Sequence, residues 1–143
     1  MPEVKETTDR FVAAFNAHDE SALNALHADD IKFNAPGGFK ATNAKDATAY
    51  ATTWGKAFPD GKMKVRSEII SGPWVVQEIL MEGTHTGPLV SPTGTIAPTY
   101  KKVAGYGVQL LRVENAKIAE ARIYFDQLDQ MTQLGLIPAP AAV

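Results

Sequence analysis

The side chains with the most chemistry to offer lie near the C-terminal end, where Glu120, Arg122, Tyr124 and Asp126 recur at every second position. Side chains two apart on a β-strand share a face. One face of such a strand therefore carries two carboxylates, a guanidinium and a phenol, while Ala119, Ala121, Ile123 and Phe125 make the other face apolar. A carboxylate held in a pocket can act as general acid or base. By period alone, however, the polar row reads more simply as a solvated face opposite a core face. His85 is the second candidate, since it ends a run in which Val75, Gln77, Ile79, Met81 and Gly83 share its face. An imidazole at the rim of an apolar surface can polarise a carbonyl or carry a proton; it can equally be a core histidine with its hydrogen bonds satisfied. Asn34 stands just before Pro36-Gly37-Gly38, where an amide either meets a substrate carbonyl or caps the turn, and the turn role is the simpler.

Other catalytic templates fail. The chain has no cysteine, hence no disulfide and no thiolate nucleophile. His18, His27 and His85 lack metal-ligand spacing, so no metal is expected, and His18 and His27 read as solvated helix ends. Gly37-Gly38 lacks the lysine of a phosphate loop, and no serine stands in a nucleophile elbow. Asp29-Asp30 reads as a solvated junction between helix and strand.

The elements that must position these groups follow from periodicity and breakers. Val4, Thr8, Phe11, Val12 and Phe15 recur with helical period, and Asn16-Ala17-His18-Asp19 ends that helix. Asp19 caps a second, short helix with Leu23 and Leu26. A strand around Ile31 and Phe33 stops at Pro36-Gly37-Gly38. A third helix over residues 44–58 puts Ala47, Tyr50, Ala51 and Trp54 on one face and ends at Pro59-Asp60-Gly61. Tyr50, Trp54 and Phe58 at that spacing line or plug whatever the helix covers. Strands follow over residues 63–71, 74–86, 100–113 and 117–126, with Glu114-Asn115-Ala116 as a hairpin turn. Residues 88–99, rich in Pro, Gly, Ser and Thr, read as a loop at a pocket rim. A last short helix through Met131 and Leu134 closes at Gly135. Three helices interleaved with one strand, then a four-stranded antiparallel meander, make an α+β domain over residues 1–137, with a loose tail at 138–143. Such a sheet, curved beneath three helices, encloses a pocket.

Bulk properties exclude whole classes of partner. A net charge of −2 with no basic run leaves no footprint for nucleic acid. No apolar run is long enough to span a membrane, and the N-terminal residues lack the apolar stretch of a secretory signal, so a cytoplasmic protein is expected.

Several phrases carry a resemblance. Arg10-Phe11-Val12-Ala13-Ala14-Phe15-Asn16 and His27-Ala28-Asp29-Asp30 resemble the opening of the nuclear-transport-factor-2-like superfamily, whose members are cones. Ala57-Phe58-Pro59-Asp60, Gly83-Thr84-His85-Thr86-Gly87, Pro92-Thr93-Gly94, Tyr124-Phe125-Asp126-Gln127-Leu128 and Gln133-Leu134-Gly135-Leu136 resemble the SnoaL-like polyketide (ester) cyclases within it. The phrases occur in order over nearly the whole chain.

The resemblance implies a cofactor-independent enzyme for a small hydrophobic carbonyl compound, performing an aldol-type ring closure or a related isomerase or lyase step. It makes Asp126 the general acid/base inside the cone, with a pKa raised by desolvation, and strengthens His85 as a partner. Asn34, Tyr50, Trp54, Gln109, Arg122 and Tyr124 are the expected substrate contacts. Arg122 departs from the family, which often has an aromatic residue there. The steroid isomerases of the superfamily use a tyrosine and two carboxyl groups at positions matching Phe11, Gln109 and Ala35 here, so their usual mechanism is not expected. Gln109 can still donate a hydrogen bond to an oxyanion. The epoxide hydrolases of the fold need an Asp-Arg-Asp set, for which Asp126 and Arg122 supply two members. The alternatives to an enzyme are a non-catalytic small-molecule-binding cone and a protein-interaction domain. An apolar outer sheet face would favour a homodimer or higher homo-oligomer.

Overall fold

A computed structural model of the chain describes residues 2–91 and 94–138. Pro92, Thr93 and all but the first residue of the expected tail lie outside the described residues.

Helix α1 (Pro2–Asn16) buries Val4, Thr7, Thr8, Phe11 and Ala14, a stripe at helical period. The two buried threonines are tolerated because each hydroxyl donates back to the carbonyl of the preceding turn, Thr7 to Glu3 at 2.8 Å and Thr8 to Lys5 at 3.0 Å. The chain reverses through His18, which takes a left-handed φ of 55°. Helix α2 (Glu20–Leu26) then starts at Asp19, whose carboxylate accepts the Ala22 N–H at 3.0 Å. Strand β1 (His27–Ala35) follows without a loop. It turns at Gly37 and Gly38, both at positive φ, into β2 (Phe39–Ala41). Helix α3 (Ala44–Ala57) begins at the cap Asn43, which accepts the Asp46 N–H at 2.8 Å.

The meander comprises β3 (Lys62–Ser71), β4 (Trp74–Thr84), β7 (Lys102–Glu114) and β8 (Lys117–Phe125). Its neighbours pair antiparallel, as expected. The two residues between β7 and β8, Asn115 and Ala116, both have positive φ, the requirement of the tight hairpin turn that matches strand twist. The full sheet has six strands in the order β2-β1-β8-β7-β4-β3. The first strand joins by pairing parallel to β8, which makes the sheet mixed. Register shifts in the β3–β4, β7–β8 and β1–β8 pairs mark the places where the sheet bends.

Three short strands have no counterpart in the sequence pattern. Strand β2 is only three residues long, and residues 88–99 contain the hairpin β5 (Leu89–Ser91) and β6 (Gly94–Ile96) instead of being loop throughout. Helix α4 (Gln127–Gln133) ends as expected at Gly135, φ 75°, with Leu136 N–H donating back to Met131 at 3.0 Å. Helices α1 to α3 cover the concave face of the sheet. The main core lies there, where Phe11 and Leu23 meet Ile31, Phe33, Leu111 and Ile118. Among the described residues no helix is long and apolar enough to cross a membrane.

Candidate active site

Between the helices and the sheet lies a cavity of about 360 Å³. A cluster of aromatic rings builds one part of its wall. From α3, Tyr50 packs on Phe33 and Phe39 at 5.2 and 4.8 Å between ring centres. One turn on, Trp54 stacks on Phe58 at 5.2 Å and meets Phe125 edge-on at 5.6 Å. Phe11 and Phe15 of α1 add to this wall. The sheet side is paved by Ile79, Met81 and Gly83 of β4, by Gly105, Gly107 and Gln109 of β7, and by Ile123 and Phe125 of β8. Each set alternates along its strand, and β7 widens the cavity by presenting glycine at two successive inward positions. The exposed lining residues His18, Asp126 and Asp129, with the half-buried Glu82 and Gln133, form its mouth.

Helix α4 is pinned across that mouth. The side-chain amide of Gln133 makes both hydrogen bonds to the backbone of Ala104, donating to its carbonyl at 2.8 Å and accepting its N–H at 2.9 Å. Asp126 is the N-cap of α4 and accepts the Asp129 N–H at 2.9 Å. Its carboxylate thus lines the cavity at the wet mouth, not in the desolvated interior expected of it.

The other expected residues divide into two groups. Tyr50, Trp54 and Gln109 line the cavity with Asp126. Burial raises the pKa of the Tyr50 phenol, with hydrogen bonding to Trp54 opposing it, so the group stays neutral. Asn34, Arg122, Tyr124 and His85 do not line the cavity, and for these the expectation is corrected. The apolar row of β8 faces inward, so the polar row faces out: Tyr124 is 56% exposed, and Arg122 pairs with Glu120 at 3.1 Å and lies over the Trp74 ring at 5.1 Å. Asn34 alternates with the buried Phe33 and shares the outer side with its cross-strand neighbour Arg122. His85 is fully buried, but behind Phe58, at 5.4 Å between ring centres. Its Nδ1 accepts the Thr99 N–H at 3.1 Å with Thr99 Oγ1 3.0 Å away, and its backbone bonds to Tyr100 and Lys101. It ties down the end of the 85–100 segment. Burial lowers its pKa, the Gly87 backbone acting in the opposite sense.

Two imidazoles reach the cavity, His18 at its exposed mouth and His27 inside it, although both have the sequence context of solvated helix ends. His27 is 2% exposed, its Nδ1 lies 2.9 Å from Thr48 Oγ1, and Phe11 meets its ring edge-on at 5.8 Å. Desolvation pushes its pKa down to about 4, so it is neutral near pH 7. The signal was present: His27 has the inward parity of Ile31 and Phe33 and lies one helical turn beyond Leu23.

Residues 5–134 match the family model described as SnoaL-like polyketide cyclase. The chain belongs to that family. It is 28% identical over 129 residues to the aklanonic acid methyl ester cyclase DnrD of Streptomyces peucetius, covering 88% of this chain and 86% of the relative. Among solved structures it resembles AclR, a putative hydroxylase of Streptomyces galilaeus, with 26% identity, a TM-score of 0.81 and coverage of 99% and 86% of the two chains. It also resembles a putative SnoaL-like polyketide cyclase of Jannaschia sp. CCS1, with 19% identity, a TM-score of 0.83 and coverage of 96% and 94%, a likeness of fold alone. Within this SnoaL-like cone, Asp126 and Asp129 are both at the mouth, but Arg122 is on the opposite side of β8. The Asp-Arg-Asp set of the epoxide hydrolases is therefore not assembled around these residues.

Proposed function

We propose that this SnoaL-like protein is a cofactor-independent acid/base enzyme that closes a ring in a small, largely apolar carbonyl compound by an intramolecular aldol step. The observation that carries the reading is a cavity lined by aromatic rings with a carboxylate, Asp126, held at its mouth by a helix cap. Asp126 removes a proton from a carbon flanked by carbonyls. The resulting enolate carbon bonds to a second carbonyl carbon, whose oxygen takes up the charge, and the proton carried by Asp126 returns to that oxygen. The C–H bond lost is balanced by an O–H bond gained, and the net change is an isomerisation. Such a carbon acid needs only one carboxylate, because the substrate delocalises its own charge. Tyr50 and Trp54 are substrate contacts, and the neutral imidazole at the cavity is His27, in the part expected of His85.

The test is hydrogen exchange in heavy water with a panel of β-keto esters, read by NMR as loss of the acidic C–H signal. Asp126→Asn keeps a capping side chain for α4, so the fold is retained. Exchange in the variant is expected to fall about 10²- to 10⁴-fold. Equal exchange by both proteins would remove Asp126 as the base. No exchange by either, on compounds that bind, would favour the second reading, a binding cone without turnover, which is supported by the solvent exposure of Asp126.

A further inference from the structure

A file of side chains leads from the cavity wall to the surface of α1. Gln109 is fully buried and lines the cavity. Its Nε2 donates to Gln77 Oε1 at 2.8 Å and has Met63 Sδ at 3.5 Å. Gln77, also fully buried, faces Gln109 across the β4–β7 pair and donates from Nε2 to Glu68 Oε2 at 2.7 Å. Glu68 meets the Lys5 ammonium at 3.2 Å, and Lys5 meets Asp9 at 3.1 Å.

An isolated amide can turn over and exchange its donor and acceptor ends. These two are held. A carboxylate only accepts, so Gln77 must give Glu68 its NH₂ and is left with a carbonyl for its other neighbour. Gln109 must answer that carbonyl with its own NH₂. The polarity set by one charge at the surface end is thereby relayed to the cavity end, where Gln109 Oε1 is buried without a hydrogen-bond partner. Turning either amide over would set two oxygens against each other. The donation to an oxyanion expected from the sequence is thus unavailable, since the NH₂ is already engaged.

We propose that Glu68 is a positioning residue which, through Gln77, makes Gln109 an obligate acceptor, so that the ligand of this cavity carries a hydroxyl donor, a phenol or enol, where it reaches Gln109. The inference rests on the cavity being a ligand site, as proposed above, but not on turnover. A ketone oxygen or an oxyanion in the same place would meet a second acceptor. A matching substrate has its reacting carbonyls toward Asp126 and a hydroxyl at Gln109.

The experiment compares the binding of 2-naphthol and 2-naphthaldehyde, probes of similar size that differ in the sign of the hydrogen bond, followed by tryptophan fluorescence. Wild type is expected to prefer the naphthol by about tenfold or more, because the aldehyde leaves the buried carbonyl unpaired. Glu68→Gln, whose amide can donate or accept, frees both inner amides to turn, and the preference is expected to collapse toward unity. Glu68→Asp keeps a carboxylate and is expected to retain it. In the ligand-free protein, NOEs from the Gln109 NH₂ to the Met63 methyl should be present in wild type and weaken in Glu68→Gln. Equal affinities, a preference for the aldehyde, or uptake of neither probe by wild type would overturn the hydroxyl assignment. A preference unchanged in Glu68→Gln, or no such NOEs in wild type, would overturn the role of Glu68. Neither readout involves proton exchange, so loss of the cyclase reading leaves this inference standing.

Discussion

His27 links the chemistry of the cavity to the stability of the fold. Its pKa stands at about 4 against an ordinary 6.5 because folding removes the imidazole from water. Between those values the unfolded chain binds a proton that the folded chain refuses, so stability is full above about pH 6.5 and is lost as pH falls toward 4. The loss amounts to about 3 kcal/mol once both limits are passed. His85 shifts in the same sense, so the test needs a variant. His27→Gln keeps a polar partner for Thr48 and removes the titration. Urea unfolding at pH 7 and pH 4.5 is expected to show a clearly smaller fall in stability for the variant; parallel falls would mean that His27 is not the group responsible. Two other residues show how far alternation can be trusted. Period two holds only inside a strand. β4 ends at Thr84 and β8 at Phe125, so His85 and Asp126 each stand one residue past the end. Parity assigned His85 to the cavity, but the chain tucks it behind Phe58. Parity grouped Asp126 with the outer row, but the turn into α4 carries it back to the mouth. The family phrases put Asp126 at the cavity, where it stands, whereas nothing local in the sequence told where its strand ended.

At the scale of elements, the meander, the three covering helices and their caps were legible because each rests on local chemistry: Asp19 and Asn43 at helix starts, Gly135 past a helix end, Asn115-Ala116 between two strands. The parallel pairing of β1 with β8 was not, since it joins residues nearly ninety positions apart and leaves no local mark. Three-residue strands such as β2 and the pair β5–β6 are too short for a period to declare itself. The facing of β8 was readable from period alone; the resemblance drew its polar row inward, and the packing of Ala121 and Ile123 against Phe11 and Leu23 puts it back outside. The glycines of β7 give this element a test of its own. A methyl group built on Gly105 meets nothing within 4 Å, whereas one on Gly107 comes 3.0 Å from the Tyr124 carbonyl. Gly105→Val therefore adds side chain on the cavity side, with its Cβ in open space. It should stabilise the strand by roughly 0.5–1 kcal/mol, since glycine weakens a strand interior. It should also weaken naphthol binding by about tenfold through lost volume. Gly107→Ala should destabilise instead. A Gly105→Val protein that binds as well as wild type would show that the ligand does not use this part of the cavity.

For the whole molecule, the question is what covers the outer side of the sheet. The apolar row of β8 was one reason to expect a homodimer, and it is spent on the core. A different set takes its place. Val108 and Tyr124 are direct cross-strand neighbours on the outer face, 36% and 56% exposed, and Leu110 and Val76 form the next pair on the same side. The charges around them are already matched within the chain, Glu120 lying 3.6 Å from Arg112 and 3.1 Å from Arg122. A second copy turned by a two-fold axis can therefore lay the same patch on this one without opposing like charges, and an isologous contact of this kind closes at two subunits. We infer a face-to-face homodimer through β7 and β8. Sedimentation at tens of micromolar should give twice the 15.4 kDa of one chain. Val108→Arg with Tyr124→Lys should return the mass to one chain while leaving the cavity intact, because both side chains point away from it. The pair of substitutions should also make the unfolding temperature independent of protein concentration, whereas the wild type should become more stable as concentration rises. A monomeric wild type would show that the exposed valine and tyrosine serve no self-association. A dimer that survives both substitutions would move the interface away from the centre of the sheet, to the edges β2 and β3 or to the helices.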